Sequence, residues 1–182
     1  LKVVSPYSSA DAKGLLKSAI RDDNPVLFFE DKMMYNDVGP VPEQDYVIPL
    51  GQADVKRSGS DITLVATSSM VGLSLQAADA LAEDGVDAEV VDVRTLYPLD
   101  ADTLVESAKK TGYAIIIDEG AARYGVTGEL ASVIQERAFD WLDGPVLRIG
   151  AADVPIPFSP VLELPTIPDV DRIIDAVRSL RG

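Results

Sequence analysis

The sequence contains no histidine and no cysteine among its 182 residues. Histidine is the commonest general base and the commonest metal ligand in proteins, so its absence excludes a Ser-His-Asp or Cys-His catalytic arrangement within this chain. The absence of cysteine excludes disulfides, thiolate nucleophiles and cysteine zinc sites. If the chain belongs to an enzyme, we therefore expect part of the chemistry to be supplied from elsewhere. The lack of cysteine also fits a cytoplasmic protein.

Basic residues are few, since 16 lysines and arginines stand against 30 aspartates and glutamates, and the formal net charge is −14. A chain of this charge repels phosphate backbones and has no basic stripe, so we expect no nucleic-acid partner. No apolar run approaches the roughly 20 residues that span a bilayer, and we expect no membrane association either. No secretory signal is visible, and the chain starts with Leu1, so we expect the natural N-terminus to lie elsewhere.

From residue 61 onwards, apolar strand-like runs alternate with amphipathic helical patterns. The strand-like runs are "DITLVAT", "AEVVDV", "YAIIID" and "PVLRIG", and a proline-rich loop precedes the last helix. Such alternation is typical of right-handed crossovers and of a parallel sheet with helices on both faces. The predicted fold class is therefore α/β, a three-layer α/β/α arrangement with a mostly parallel sheet.

The first 30 residues predict a separate β-α-β unit. "KVV" reads as a short strand, and "VLFFE" reads as a strand buried on both faces, as in parallel sheets. The helix between them carries an apolar stripe that we expect to be buried. The stripe consists of Ala12, Leu15, Leu16, Ala19 and Ile20. Residues 31–60 mix proline, glycine and charge and read as a connector, with possible short strands at Val47–Ile48 and Ala53–Lys56.

Three oxygen-bearing side chains, Asp22, Asp23 and Asn24, lie in the short turn "RDDNP" between this helix and the next strand. Asn24 precedes Pro25 and is therefore pushed towards extended geometry, so the helix must end before it. Carbonyl groups at a helix C-terminus are unpaired and carry the negative end of the helix dipole. Together with Asp22 and Asn24 they could bind a hard cation. The alternative is an ordinary polar cap.

A glycine-spaced stretch, "DEGAARYGVTGE", follows one predicted strand and begins a helix. Its glycines are Gly120, Gly125 and Gly128, and exposed amides at a helix start can hold an anion. The stretch matches neither a dinucleotide-binding fingerprint nor a P-loop, and it lacks lysine. We therefore favour a tight strand-to-helix turn over an anion site.

Charged residues also follow other predicted strands. Arg94 could attract an anionic group or pair with Asp92 or Asp100, and structural pairing is the favoured interpretation. Asp118 and Glu119 could form an acid/base pair. Because adjacent strand residues point to opposite faces, we expect that these two do not share a site.

Read in order, seven stretches carry a resemblance that covers nearly the whole chain. They are "LKVVSP", "DAKGLLKSAIRDDNPVLFFEDKMMYN", "VRTLYPLD", "KKTG", "YGVTGELAS", "DVPIPFSPVLE" and "IPDVDRIIDAVR". The chain resembles the C-terminal part of the β subunit of the thiamine diphosphate-dependent dehydrogenases. That family includes pyruvate, branched-chain 2-oxo acid and acetoin dehydrogenases, and "EDKMMYN" is most similar to the acetoin dehydrogenase version.

The resemblance implies a domain organisation. Residues 1–45 would be the tail of a thiamine pyrimidine-binding domain, so the β-α-β unit is its remnant. Residues 46–60 would be a linker, and residues 61–182 a transketolase-like C-terminal domain.

The resemblance also implies a potassium site that stiffens the cofactor-binding domain. Ala19 and Ile20 would offer backbone carbonyls, while Asp22 and Asn24 would complete this part of the shell. In the family, thiamine diphosphate is bound mainly by parts absent here, and Mg²⁺ and the diphosphate are held by the α subunit. No residue of this chain is assigned to catalysis or to thiamine diphosphate.

The implied function is that of a β-subunit portion of an acetoin or pyruvate type dehydrogenase complex, an oxidoreductase. The parent reaction cleaves a C–C bond and passes the acyl unit to lipoamide. This part would pair with the α subunit and a second β subunit in a heterotetramer and would dock on the acyltransferase core, and we expect the isolated chain to be inactive. The alternative is a stand-alone, non-catalytic interaction or small-ligand module, which the missing histidine and cysteine suit equally well.

Overall fold

The structure, a computed structural model, describes residues 1–181, so Gly182, the last residue of the predicted domain, lies outside the described residues. The strands are β1 (Lys2–Val4), β2 (Val26–Phe28), β3 (Asp54–Arg57), β4 (Ile62–Ala66), β5 (Ala88–Asp92), β6 (Thr95–Tyr97), β7 (Ala114–Ala121) and β8 (Leu147–Ala151). The α-helices are α1 (Ser9–Ile20), α2 (Met70–Glu83), α3 (Ala101–Thr111), α4 (Val126–Ala138), α5 (Pro160–Glu163) and α6 (Val170–Arg181). Short 3₁₀ helices span Lys32–Asn36, Phe139–Trp141 and Leu164–Thr166.

A five-stranded sheet in the order β3-β5-β4-β7-β8 forms the centre of the C-terminal part. Its pairings are parallel except for β3, which runs antiparallel to β5. At the centre of the sheet, Val65 lies opposite Val91 on one side and Ile116 on the other. The predicted, mostly parallel sheet is thereby confirmed.

Helices cover both faces of this sheet because successive strand residues point to opposite sides. Leu64 packs in a core with residues of α2 and α6, whereas the neighbouring Val65 packs in a second core with α3 and α4. The predicted three-layer arrangement is confirmed. The helix ends also follow local chemistry: Asp100 caps α3 by accepting a bond from the Thr103 amide at 3.2 Å, and Gly112 ends it at a φ of 74°.

The N-terminal part forms a separate, three-stranded sheet in the order β2-β1-β6. Strands β1 and β2 are parallel and are connected through α1, which gives the β-α-β unit. The third strand, β6, comes from the C-terminal part and runs antiparallel to β1. The assignment of this unit to a pyrimidine-binding domain stays a prediction. We call β1, α1 and β2 the N-terminal unit.

Two burial predictions for the N-terminal unit are wrong. β2 was expected to be buried on both faces, but Leu27 and the adjoining Phe29 are exposed because β2 is the edge strand of a small sheet. Of the apolar stripe on α1, Leu15 is buried, whereas Leu16 and Ile20 are exposed, the latter by 75%. A periodic pattern marks an apolar face without specifying what covers it.

The connector between residues 31 and 60 contains a strand of the five-stranded sheet. β3 confirms the strand predicted at Ala53–Lys56 with a shift of one residue, while Val47–Ile48 forms no strand. Instead, the Ile48 amide donates to the Gly14 carbonyl at 3.2 Å, and a Cβ on Gly14 would overlap the Ile48 and Tyr46 side chains. The domain boundaries themselves stay a prediction. Within residues 1–181, no helix has the length and apolar character needed to cross a membrane.

Candidate functional site

The turn after α1 brings the four predicted cation ligands, Ala19, Ile20, Asp22 and Asn24, into one short loop. Asp22 Oδ1 accepts bonds from the Asn24 backbone amide at 2.9 Å and from Asn24 Nδ2 at 3.0 Å. The other oxygen, Oδ2, forms an ion pair with the Lys2 ammonium. The Lys2 ammonium and the Asn24 N–H groups hold the pKa of Asp22 down to about 2, so Asp22 is ionised at neutral pH.

The oxygen donors of this loop are of the kind that hard cations bind. The Ala19 carbonyl accepts a long bond from the Asp22 amide, at 3.4 Å, and the C-cap bond from the Arg21 amide. In the described part of the chain no hydrogen bond to the Ile20 carbonyl is found. Both groups lie at the negative end of the helix dipole. The Lys2 ammonium already forms an ion pair with the carboxylate. The same ammonium would compete with a metal ion for Asp22.

The described residues offer no cluster of side chains for Mg²⁺. The sequence has no histidine. Among residues 1–181, no group of three or more acidic, histidine or cysteine side chains is arranged to hold a metal ion. We therefore assign no residue here to the diphosphate or to Mg²⁺.

Arg94 is engaged in structural pairing, as favoured, but the partners expected from the sequence are wrong. Its Nη2 atom donates to Asp11 Oδ1 at 2.5 Å and to Asp54 Oδ2 at 2.7 Å, and only its backbone amide reaches Asp92, at 3.0 Å. Asp100 is used elsewhere, as the cap of α3. Arg94 lies at a φ of +57° between β5 and β6, and this turn brings its side chain to α1, 83 residues earlier in the chain.

Lys56 completes this group of charges. Its ammonium donates to Asp11 Oδ2 at 2.6 Å and lies 2.7 Å from Asp54 Oδ2 and 3.5 Å from Asp92 Oδ2. We call these five side chains, Asp11, Asp54, Lys56, Asp92 and Arg94, the hinge cluster. Sequence reasoning missed three of its members, since α1, β3 and the β5–β6 turn are far apart along the chain and no local motif marks them.

The two acidic residues in the second half of β7, Asp118 and Glu119, contact the turn between β4 and α2. Asp118 Oδ2 accepts a bond from the Thr67 hydroxyl, and Glu119 lies 3.4 Å from the Ser69 hydroxyl. The two carboxylates contact different hydroxyl groups of the β4–α2 turn, and the expectation that they do not share a site stays a prediction. Burial raises the pKa of Glu119, and the charges of Asp31 and Asp118 raise it further. This edge of the sheet is acidic.

The glycine-spaced stretch forms a tight turn, as favoured. A Cβ on Gly125 would overlap the Ala121 carbonyl, and a Cβ on Gly150 of β8 would come within 2.7 Å of the Ala122 amide nitrogen and the Gly120 carbonyl oxygen. These glycines are required by the close approach of two backbone segments.

A third feature is a run of exposed apolar side chains between β8 and α6. Phe158 is fully exposed, and Ile156 is 74% exposed. We call this run the apolar segment; its members are Val154, Ile156, Phe158, Val161, Leu162 and Leu164. Exposed apolar side chains in this number within one short segment are typical of protein–protein contact sites.

Comparison with known proteins identifies the family. Residues 51–173 match the family described as the C-terminal domain of transketolase. The chain belongs to the transketolase C-terminal domain family. The matched range begins just before β3, covers all five strands of the five-stranded sheet and ends within the first turn of α6.

Relatives of this transketolase-type chain are β subunits of three different enzymes. It is 48% identical over 182 residues to the β subunit of acetoin:2,6-dichlorophenolindophenol oxidoreductase of Bacillus subtilis, covering 100% of this chain and 53% of that protein. It is 46% identical to the pyruvate dehydrogenase E1 component β subunit of Rickettsia felis (99% and 55% covered). It is 44% identical to the 2-oxoisovalerate dehydrogenase β subunit of Bacillus subtilis (99% and 56% covered). The chain thus spans about half the length of these relatives.

A solved structure shares the fold. A protein described as a split-gene transketolase, an inactive β4 tetramer, superposes with a TM-score of 0.74 at 27% sequence identity. The alignment covers 98% of this chain and 56% of that one. Because nearly the whole chain is covered, the likeness includes the N-terminal unit as well as the transketolase C-terminal domain.

Proposed function

We propose that this chain is the β-subunit portion of a thiamine diphosphate-dependent dehydrogenase that cleaves acetoin or a 2-oxo acid and passes the acyl unit to lipoamide. The observation that carries the proposal is the match of the whole chain to β subunits named for acetoin, pyruvate and 2-oxoisovalerate enzymes. Thiamine diphosphate, when bound in such an enzyme, supplies the carbanion chemistry of C–C cleavage. This portion serves assembly.

Assembly is supported by surface features of the chain. The apolar segment is available for contact with an α subunit or a second β subunit, and a structural relative is described as a β4 tetramer. The formal net charge of −14 suits a basic docking module of an acyltransferase core, because opposite charges steer association. A cytoplasmic location agrees with this proposal, although some relatives are named as mitochondrial proteins.

The first experiment tests whether the chain acts alone. We expect the isolated chain to give no dye reduction with acetoin, pyruvate or 2-oxoisovalerate in the presence of thiamine diphosphate and Mg²⁺, because it contains no histidine to act as a base. A complete α and β pair of an acetoin enzyme is the positive control. Intact mass of the native protein, recovered from its source cells by immunoprecipitation, should exceed 19.4 kDa, and an α subunit should accompany it.

Turnover by the isolated chain would contradict the proposal. A native mass of 19.4 kDa without an α subunit would instead support the stand-alone module.

We also propose that Ala19, Ile20, Asp22 and Asn24 bind K⁺. Replacing sodium by potassium chloride at constant ionic strength should raise the melting temperature by roughly 3–8 °C, because an ion that binds only the folded state stabilises it. Asp22→Asn should abolish the difference between the two salts, since it removes the anionic ligand. Asp23→Asn, which changes an exposed neighbour outside the proposed ligand set, should preserve the difference. Equal melting temperatures in both salts would rule out the site.

A further inference from the structure

The hinge cluster lies where the two sheets of the molecule are joined. Arg94 lies directly between β5, in the five-stranded sheet, and β6, in the three-stranded sheet. Its carbonyl accepts a bond from the Ser5 amide at 2.8 Å, next to β1. Its guanidinium reaches Asp11 on α1 and Asp54 on β3. The same few side chains therefore connect the N-terminal unit to the five-stranded sheet.

The charges of the hinge cluster do not balance. Three carboxyl groups face two cations, and both Asp11 and Asp54 are in contact with both Lys56 and Arg94. Asp92 is less well paired: Oδ1 accepts a bond from the Arg94 backbone amide, and Oδ2 lies 3.5 Å from the Lys56 ammonium but has no hydrogen-bond partner among the described residues. Asp92 is completely buried. The carboxyl group in excess is therefore that of Asp92.

We propose that the hinge cluster holds the N-terminal unit against the five-stranded sheet, and that the charge of Asp92 sets the strength of this contact. With Asp92 neutral, two anions balance two cations. With Asp92 ionised, the buried cluster carries one excess negative charge, which repels Asp11 and Asp54 and weakens the contact. The cluster thus acts as a pH-sensitive conformational device within the fold.

The surroundings favour Asp92 as the group that titrates near neutral pH. Burial raises its pKa to about 7, and the charge of Asp11 adds to this, against the opposing effects of Lys56 and Arg94. Burial also disfavours the charge of Asp11, but hydrogen bonds from Lys56 and Ser8 lower its pKa below the ordinary value. Asp11 therefore remains ionised in this range.

The other groups that face the cluster keep one charge state between pH 5 and 8. Burial opposes the charge of Lys56, yet its bonds to Asp11 and Asp54 raise its pKa, and Lys56 remains a cation. Tyr7, from the loop before α1, has a pKa raised by burial and by the charge of Asp37, and it remains neutral. The Ser8 hydroxyl, in the same loop, does not titrate. Arg94 is permanently charged.

The direction of the pH effect follows from linkage. The pKa of Asp92 is higher in the closed state than the ordinary value of about 3.8 that it would have after opening. Its stabilising contribution is therefore present at acid pH and is lost as the pH rises through about 7. With a pKa of about 7 in the closed state and about 3.8 in the open state, the equilibrium constant for closing should fall by about 30-fold between pH 5.5 and pH 8.

Amide hydrogen exchange tests this inference on the 182-residue chain. The protection factor of the Ser5 amide, which donates to Arg94, reports the contact between the two units, and the factor already corrects for the intrinsic pH dependence of exchange. We expect it to fall by about 30-fold from pH 5.5 to pH 8. The Thr63 amide, which donates to the Tyr113 carbonyl inside the five-stranded sheet, should not change comparably.

Three variants test whether the pH dependence of Ser5 protection comes from the charge of Asp92. Asp92→Asn mimics the neutral carboxyl, so its Ser5 protection should be the same at both pH values. Asp54→Asn removes a different, half-exposed carboxyl and one of the negative charges that the ionised Asp92 faces, so it should reduce the pH dependence without abolishing it. Glu89→Gln changes another buried carboxyl, one paired with Lys110 outside the cluster, and should retain the wild-type profile.

A wild-type Ser5 protection factor that does not change with pH would overturn the inference. So would an Asp92→Asn profile identical to that of the wild type. If Asp92→Asn fails to fold, an Asp54→Asn profile identical to that of the wild type would overturn the inference in its place.

Discussion

Replacing Arg94 by methionine should lower the free energy of unfolding by about 3–5 kcal/mol. Methionine retains much of the length of the side chain but removes the charge and the donors. Asp11, which is 1% exposed, then loses its partner on Oδ1, and only Lys56 remains as a cation in the hinge cluster. Removing one partner of a buried ion pair destabilises the folded state strongly, because the remaining charge is buried without a counter-charge or water to solvate it. Urea unfolding at pH 7, with an unchanged m-value, provides the measurement.

The matched control is Arg137→Met. Arg137 also pairs with an aspartate, Asp102, but both side chains are largely exposed, and such surface pairs contribute at most about 1 kcal/mol. The double variant Arg94→Met, Asp11→Asn should recover part of the loss, since it removes one of the stranded charges. If Arg94→Met cost no more than Arg137→Met, the hinge cluster would have no role in stability.

Much of the C-terminal part could be predicted from the sequence because its signals are local. The alternation of strands and helices, the stop at Gly112 and the cap at Asp100 each depend on residues within one element or next to it. A strand such as β4, where Leu64 and Val65 face different cores, is recognisable from its own apolar run. The three-layer arrangement follows from these elements by general packing rules.

The parts that could not be predicted depend on contacts between distant residues. The pairing of β1 with β6 joins Val3 to Tyr97, and no local pattern in "RTLYP" distinguishes a strand from a loop. The same holds for the Arg94–Asp11 pair, which a positive φ at Arg94 makes possible.

Trp141 shows another limit of periodicity. From its spacing after Ile134, Trp141 would extend the apolar face of α4, but the helix ends at Ala138 and Trp141 follows in a 3₁₀ turn. A 3₁₀ turn has about 3.0 residues per turn in place of 3.6, so the side chain leaves the face of the preceding helix. The ring is half exposed and lies beneath the Lys109 ammonium, 4.6 Å from its centroid.

The position of the candidate cation loop could be predicted from the sequence, but the ion pair within it could not. The sequence indicates where α1 ends and which oxygens follow, and the structure brings these residues together. The ion pair between Asp22 and Lys2 was not predictable, because it depends on β1 lying beside the end of α1. The salt comparison with Asp22→Asn is therefore a test of competition between a metal ion and a lysine ammonium as well as of binding.

The second large effect is expected in the sheet itself: Ile116→Ala should lower the free energy of unfolding by about 2–5 kcal/mol. Ile116 is completely buried on the central part of β7, opposite Val65, and packs in the core formed with α3 and α4. Truncation to alanine removes apolar contacts and leaves a cavity that a regular sheet between two helical layers cannot readily fill. Urea or thermal unfolding of the two proteins at the same pH measures the difference.

Ile156→Ala is the matched control, since it makes the same chemical change in the apolar segment. Ile156 is 74% exposed, so its truncation should alter the free energy of unfolding by no more than about 0.5 kcal/mol. A loss at Ile156 as large as that at Ile116 would show that the apolar segment is packed in the folded chain. The segment would then not be free to contact another subunit, and the proposal that this portion serves assembly would lose its structural support.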